Sequence, residues 1–277
     1  MKLDNKRTVL VGLAFLSICA FWQMYDNIIP LILTNTFHLN ETISGAIMAA
    51  DNVLALFLLP FFGALSDRTN TKIGRRMPFI LCGTVCAVVL MNLLPVFDNG
   101  YAATGETGKL VLFVVTLGLL LVAMGTYRSP AVALMPDVTP KPLRSRANAI
   151  INLMGAVGGI LYLITASVLY PNSKTAGLAH VNYRPLFVVV SVLMAVSVAI
   201  LYFTTNEPKL AAAEKEYEAE HPEQQLVEEE PDGREELPKP VKRSLLMILF
   251  SIALWYIGYN GVTTWWTTYV ARVMGQG

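Results

Sequence analysis

The sequence is short of charge. Only 15% of its 277 residues are Asp, Glu, Lys or Arg, against 54% apolar residues, and its mean hydropathy is +0.51. A water-soluble domain has more charge and shorter apolar runs, so that class is excluded. Carboxylates are scarcer still over most of the chain: 12 of the 20 acidic residues fall between Glu207 and Glu236, which leaves eight elsewhere. The formal net charge of +1 therefore averages a cationic membrane part with an anionic segment, and no patch for a nucleic-acid partner is implied. Cysteine is rare as well. Cys19, Cys82 and Cys86 all lie inside apolar runs, which argues against a disulfide framework and makes them packing residues. The three histidines, His38, His180 and His221, all fall between apolar runs, and neither HExxH nor GxSxG occurs. A membrane-embedded enzyme would need a nucleophile, metal cluster or base pair within its spans, so catalysis is not expected, nor is a metal or organic cofactor.

What the sequence has is long apolar runs. A bilayer core about 30 Å thick needs about 20 mostly apolar residues per helix. Seven such runs lie near Thr8 to Leu33, Ile43 to Leu65, Pro78 to Phe97, Leu110 to Met135, Ala147 to Tyr170, Pro185 to Thr204 and Leu245 to Val270. The first is too long for a secretory signal, contains Asp26 and lacks a small-residue cleavage site. Lys and Arg between the runs set the orientation. One side has Lys2, Lys6, Arg7, Arg68, Lys72, Arg75, Arg76, Lys141, Arg144 and Arg146, and the other only Lys109, Lys174 and Arg184. This places the N-terminus in the cytoplasm of a multi-pass protein of the plasma membrane, with the lipid bilayer as its first partner.

The long gap from Glu207 to Arg243, with 12 acidic and six basic residues, reads as a solvated cytoplasmic linker with a short helix around Leu210 to Glu220. Six spans, a long central loop and one more span make the first half of a twelve-helix, two-bundle transporter. The expected fold is thus an all-α multi-pass membrane protein. Its domains are an N-terminal six-helix bundle at 1–205, an acidic linker at 206–243 and the first helix of a second bundle at 244–277. Seven of twelve helices are present, so a fragment is expected whose missing C-terminal half is a partner.

Between the second and third runs stands "GALSDRTNTKIGRR", a concentration of charge in an otherwise apolar region. It resembles the loop between the second and third helices of the major facilitator superfamily, G-x-x-x-D-R-x-G-R-R, with Gly63, Asp67, Arg68, Gly74, Arg75 and Arg76 at the matching positions. Five residues rather than one separate Arg68 from Gly74. That spacing, followed by "MPFI", is similar to the glycoside-pentoside-hexuronide:cation symporters and the proton-coupled sucrose transporters. "YRSPAVALMPDVTP" at 127–140, "ANAIINLMGAVGG" at 147–159 and, more loosely, "GYNGVTTWW" at 258–266 agree with that branch.

Basic residues alone would serve as topology anchors, but anchors need neither Asp67 nor the glycines. The Asp67 carboxylate can accept from exposed helix-end N–H groups or pair with an Arg, while Gly63 and Gly74 permit close approach and a tight reversal. The resemblance implies a conformational latch, closing two bundles in the outward-facing state.

Three charges lie within the runs, each costing roughly 2.5–3.5 kcal/mol at mid-membrane: Asp26, Asp51 and Arg128. Asp26 can be partly hydrated near the outer end of its span, and Arg128 can snorkel. Asp51, well inside the second run, should face a cavity or a cation. Trp22, Tyr25, Asp26 and Asn27 combine aromatic faces with carboxylate and amide groups, as sugar binding requires, although an aromatic belt fits the two rings as well. Asn148 and Asn152 are one turn apart in span five, beside Gly155 and Gly159, which suit close helix packing. Span seven adds Tyr259, Asn260 and Trp265, and Gly258 and Gly261 are positioned to break its helix.

Sodium-using members of the family carry two acidic residues one turn apart in the second helix, where this sequence has Ala55 and Leu59. Plant sucrose transporters place an acidic residue in the fourth helix before the Arg, where this sequence reads "TLGLLLVAMG". A single carboxylate taking up one proton is the simpler coupling device, with Asp51 the first candidate, Asp26 the second and Na⁺ a lesser alternative to H⁺. The expected function is cation-coupled symport of a sugar or glycoside by alternating access. The alternatives are a membrane sugar sensor and a carrier of a non-sugar solute; a sensor should have a signalling domain, for which the 37-residue loop is too small and too acidic.

Overall fold

The computed structural model describes residues 4–175, 178–220 and 238–274, and every regular element within them is a helix. Helix α1 (Asn5–Leu31) starts where the Asp4 carboxylate accepts from the Arg7 backbone N–H at 3.1 Å, and it continues into a π-helical turn, Ile32–Thr36. Helix α2 (Glu41–Arg68) starts in the same way on Asn40, whose Oδ1 accepts from Ile43 N–H at 2.8 Å. Both side chains satisfy N–H groups that a helix's first turn leaves unpaired. Helices α3 (Met77–Thr104) and α4 (Thr107–Asp137) are joined by a tight turn in which Gly105 takes φ +69°, a conformation favouring a residue without Cβ. After a 3₁₀ turn come α5 (Arg144–Leu169), the single-turn α6 (Asn172–Thr175), α7 (Arg184–Thr204), α8 (Glu207–Glu220) and α9 (Lys239–Val273).

Seven of the described helices are long and apolar enough to cross a bilayer: α1 to α5, α7 and α9. They match the seven apolar runs, extended at most ends by a few polar or charged residues that hydropathy does not register, with side-chain caps at the starts of α1 and α2. The central packing is α1 against α5 and α7, with α3 between α4 and α7 and α2 lying on α4. Phe21, Met24 and Tyr25 of α1, Met91 of α3, Phe113 and Tyr127 of α4 and Phe187 of α7 fill the core.

Between helices in lipid, apolar burial gives little driving force, and close approach and polar pairing replace it. A Cβ on Gly158 would strike the Leu16 backbone carbonyl, and one on Gly155 would come within 2.9 Å of Cys19 Sγ, so α5 rests directly on α1. Gly158, more than Gly159, makes the tight contact. The Tyr127 hydroxyl is hydrogen-bonded to Ser17 Oγ at 2.5 Å and donates to the Ala14 carbonyl at 3.0 Å, tying α4 to α1, while Asn92 of α3 donates to Ser191 of α7 at 2.7 Å.

Two expectations change. Helix α9 runs unbroken through Gly258 and Gly261. Among the described residues, nothing lies within 4 Å of where their side chains would be, so no described neighbour competes for the backbone. The start of the acidic segment is not solvated linker either: α8 docks on the bundle, burying Glu207 and Glu214. Positions 221–237 of that segment lie outside the described residues.

Candidate functional site

A cleft of about 340 Å³ opens where α1, α2, α4 and α9 face one another. Trp22 and Asp26 of α1 line it together, because residues four apart share a helix face. Asp51 and Asn52 of α2 stand with them, beside the small residues Gly45 and Ala49. Arg128 comes from α4, held at its depth by the anchored neighbour Tyr127. Asn260, Gly261 and Trp265 close the cleft from α9.

Within the cleft the guanidinium of Arg128 sits over the Trp22 indole, 5.5 Å from its centroid, in cation–π geometry. One Asp51 oxygen accepts from the backbone N–H of Asn52 at 2.6 Å and from its amide at 2.9 Å. The indole Nε1 of Trp22 is buried with no hydrogen-bond partner among the described residues. Two carboxylates share the space with one guanidinium, so with both ionised the cleft holds one uncompensated negative charge.

Other expected site residues are not brought here. Tyr25 is turned into the core, its ring 5.3 Å from that of Trp22 and 6.1 Å from that of Phe21, because it stands about 100° round the helix from Asp26, on the far side of Trp22. Asn27 donates to the Gln23 carbonyl at 2.7 Å. Asn148 and Asn152 lie exposed on α5, the second donating to the carbonyl of the first at 2.9 Å. Tyr259 is half-exposed and stacks on Trp255, with centroids 5.4 Å apart.

The charged loop forms a separate and denser arrangement at the other end of α2. Arg76 is only 4% exposed. It pairs with Asp67, donates from Nε to Asp137 Oδ2 at 2.7 Å, and donates from Nη1 to Ser66 Oγ and to the Gly63 carbonyl. Arg75 pairs with the other Asp137 oxygen at 2.7 Å. Gly74 has φ +117°, and the Glu207 side chain fills the space a Cβ would need. That carboxylate accepts from the backbone N–H groups of Arg75, Arg76 and Met77 at 2.8–2.9 Å, capping α3 where its dipole favours negative charge. Arg68 is exposed and takes no part.

The N–H groups that Asp67 seemed free to accept from are thus held by Glu207, and Asp67 takes the Arg instead. Sequence reasoning counted Glu207 among the linker acids and gave Asp137 no role. The signal available was the sparseness of carboxylates elsewhere, which makes an acid at a helix end worth a partner search. Asp98 was missed for a different reason. The third apolar run ends at Phe97, one residue short of it, yet α3 continues to Thr104 and buries Asp98 completely.

The family model of the Major Facilitator Superfamily matches residues 11–277. The chain belongs to that superfamily. Among curated major facilitator relatives it is 31% identical over 140 residues to sucrose transport protein SUC3 of Arabidopsis thaliana, a match covering 46% of this chain and 23% of that protein. It is 30% identical over 176 residues to sucrose transport protein SUC4 of the same plant, covering 58% and 34%, and 25% identical over 190 residues to the putative glycoside/cation symporter YagG of Escherichia coli K12, covering 68% and 40%. The chain therefore spans less than half the length of these relatives. They are the sucrose-transporter and glycoside/cation symporter branch to which the loop spacing pointed. A multi-pass membrane protein follows from the family and the seven apolar helices together.

Proposed function

We propose that the protein containing this chain moves a sugar or glycoside across the plasma membrane together with a cation, by alternating access, with the cleft as half of its substrate site. The observation that carries the reading is the convergence of Asp26, Asp51, Arg128, Trp22, Asn260 and Trp265 on one cleft from four helices. Carboxylate and amide groups suit hydroxyl pairs, and indole faces suit the C–H face of a sugar ring. Arg128 already occupies the Trp22 face, which leaves Trp265 as the stacking ring. The names of the relatives supply the substrate class.

The charge inventory supports cation coupling. An unpaired carboxylate is costly at membrane depth, and one bound proton cancels the excess. Asp51 takes that proton, and Asp26 holds sugar hydroxyls. Ala55 and Leu59, one and two turns beyond Asp51, offer no second acid for Na⁺. The topology that goes with this puts the N-terminus, the charged loop and α8 in the cytoplasm, divides the chain at 205 and 243, and makes exposed Asp67 and Arg68 the part of the loop that latches against a second bundle.

The test uses the full-length protein in proteoliposomes. Asp51→Asn mimics the protonated carboxyl, so it should still exchange sugar for sugar yet lose accumulation under a proton gradient. Asp26→Asn should weaken sugar binding while its residual uptake stays proton-driven. An Asp51→Asn protein that still concentrates sugar under a proton gradient removes Asp51 as the coupling site.

A further inference from the structure

At the end of the bundle away from the charged loop, the segment 178–183 leading into α7 is tied down by polar contacts. His180 makes two of them: Nε2 lies 2.8 Å from Asn99 Oδ1, and Nδ1 lies 3.3 Å from Thr36 Oγ1. Asn99 also donates to Asn182 at 2.9 Å, and Tyr170 donates to the Asn182 carbonyl at 2.9 Å. Beneath this segment lies Asp98, 0% exposed, with no hydrogen-bond partner on either oxygen among the described residues. His180 Nε2 is 3.8 Å from Asp98 Oδ2. A cavity of about 420 Å³, lined in part by Asn35, Thr36, His38, His180 and Tyr183, gives water a route to the imidazole.

Apart from His180, the one polar group beside the carboxylate among the described residues is the Thr36 hydroxyl, which His180 Nδ1 also contacts. A buried carboxylate so poorly supplied with donors is stable only if a proton is available to it or to a neighbour. We infer that Asp98 and His180 together form a proton-binding site, separate from the cleft, whose occupancy holds segment 178–183 on the bundle. The proton either stays on the carboxyl or makes an imidazolium whose Nε2 stands 3.8 Å from it as an ion pair, and both placements leave the pair neutral overall. Without the proton Asp98 is a bare buried charge, relieved only when the segment lifts and water enters. The docked form therefore binds more protons than the lifted one, and docking strengthens as pH falls.

The surroundings leave the pair to titrate on its own. Burial pushes the pKa of His180 down, so the imidazole by itself does not keep a proton near neutrality. Burial, helped by the Asp98 charge, pushes the Tyr183 phenol up to about 12, and burial raises Tyr170 as well, so both stay neutral. Other titratable or charged groups at this end include Tyr101, one turn beyond Asp98 on α3 and packed on Phe37, Glu106 at the start of α4, His38, across the cavity on the α1–α2 connection, Lys109 of α4, which packs against Gly100, and Arg184, which opens α7. Neither basic side chain pairs with Asp98.

Hydrogen exchange of residues 178–183, corrected for intrinsic rates, tests this in the full-length protein embedded in nanodiscs. Between about pH 8 and about pH 5 the segment should gain about tenfold in protection, the change expected for one proton whose affinity differs by about one pKa unit between the two forms. Asp98→Asn and His180→Gln should each abolish the pH response. The unmutated protein gives a second reading, because with only three histidines the ring ¹⁵N shifts can be assigned, and His180 should titrate together with the protection. A flat protection profile in the parent, or a His180→Gln protein with the parent's pH response, overturns the inference.

Discussion

The cleft and the charged loop hold the same kinds of side chain in opposite states of satisfaction. At the loop, Arg75 and Arg76 meet Asp67 and Asp137, and the backbone N–H groups of Arg75, Arg76 and Met77, where α3 begins, meet Glu207. In the cleft, Asp26 and Asp51 face one Arg128 whose cation is already spread over Trp22, and the Trp22 N–H has no partner among the described residues. Matched charge fixes backbone segments in place. Unmatched charge is a cost the fold keeps, and a solute and a cation can relieve it. On the proposed reading, that difference is what sets the cleft apart from the pinned loop as the place where substrate and cation bind.

Substitutions should break the comparison in a definite order of stability loss. Arg76→Met is expected to cost most, about 3–5 kcal/mol, because it strands buried acceptors around Ser66 and Asp137; thermal unfolding in detergent measures it, and a loss no greater than that of Arg68→Ala would mean the network is not a pin. Next comes Gly158→Ala, at about 1–3 kcal/mol, since the new methyl must push α5 off the Leu16 backbone. Glu207→Ala should cost about 1–2 kcal/mol and speed amide exchange at residues 75–77, while Glu207→Gln, which keeps an acceptor, should recover part of that. Asp51→Asn belongs at the bottom of the stability order, within about 0.5 kcal/mol alongside Arg68→Ala. It should nonetheless have the largest effect on gradient-driven uptake, and a strongly destabilised Asp51→Asn protein would place Asp51 with the pin rather than the site.

Much of this could be read from residue order. The seven spans follow from apolar length, and hydropathy missed the polar residues at their ends; two spans start on the caps Asp4 and Asn40, whose effect is local. Trp22 and Asp26 were legible as a pair because four residues along one helix return to the same face. Tyr25 was grouped with them by proximity in sequence, which the helical rotation undoes. Asn148 and Asn152 were judged from their own helix alone, and whether α5 turns them toward the cleft depends on the glycine contacts that set its rotation against α1.

The sequence by itself determined that this chain spans a membrane, that its charge collects between α2 and α3 and after α7, and which carboxylates lie at a depth where they need a reason. Those are properties of short windows, governed by the transfer of each residue between water and lipid. Only the tertiary structure decided which charges meet. Glu207 reaches Gly74–Met77 across more than a hundred residues, Asp137 joins Arg75 and Arg76, and Asp51 finds itself beside Asp26 and Arg128. Pairing energies fall off within a few ångströms, so they are settled by how helices pack and rotate, which no single window of sequence encodes.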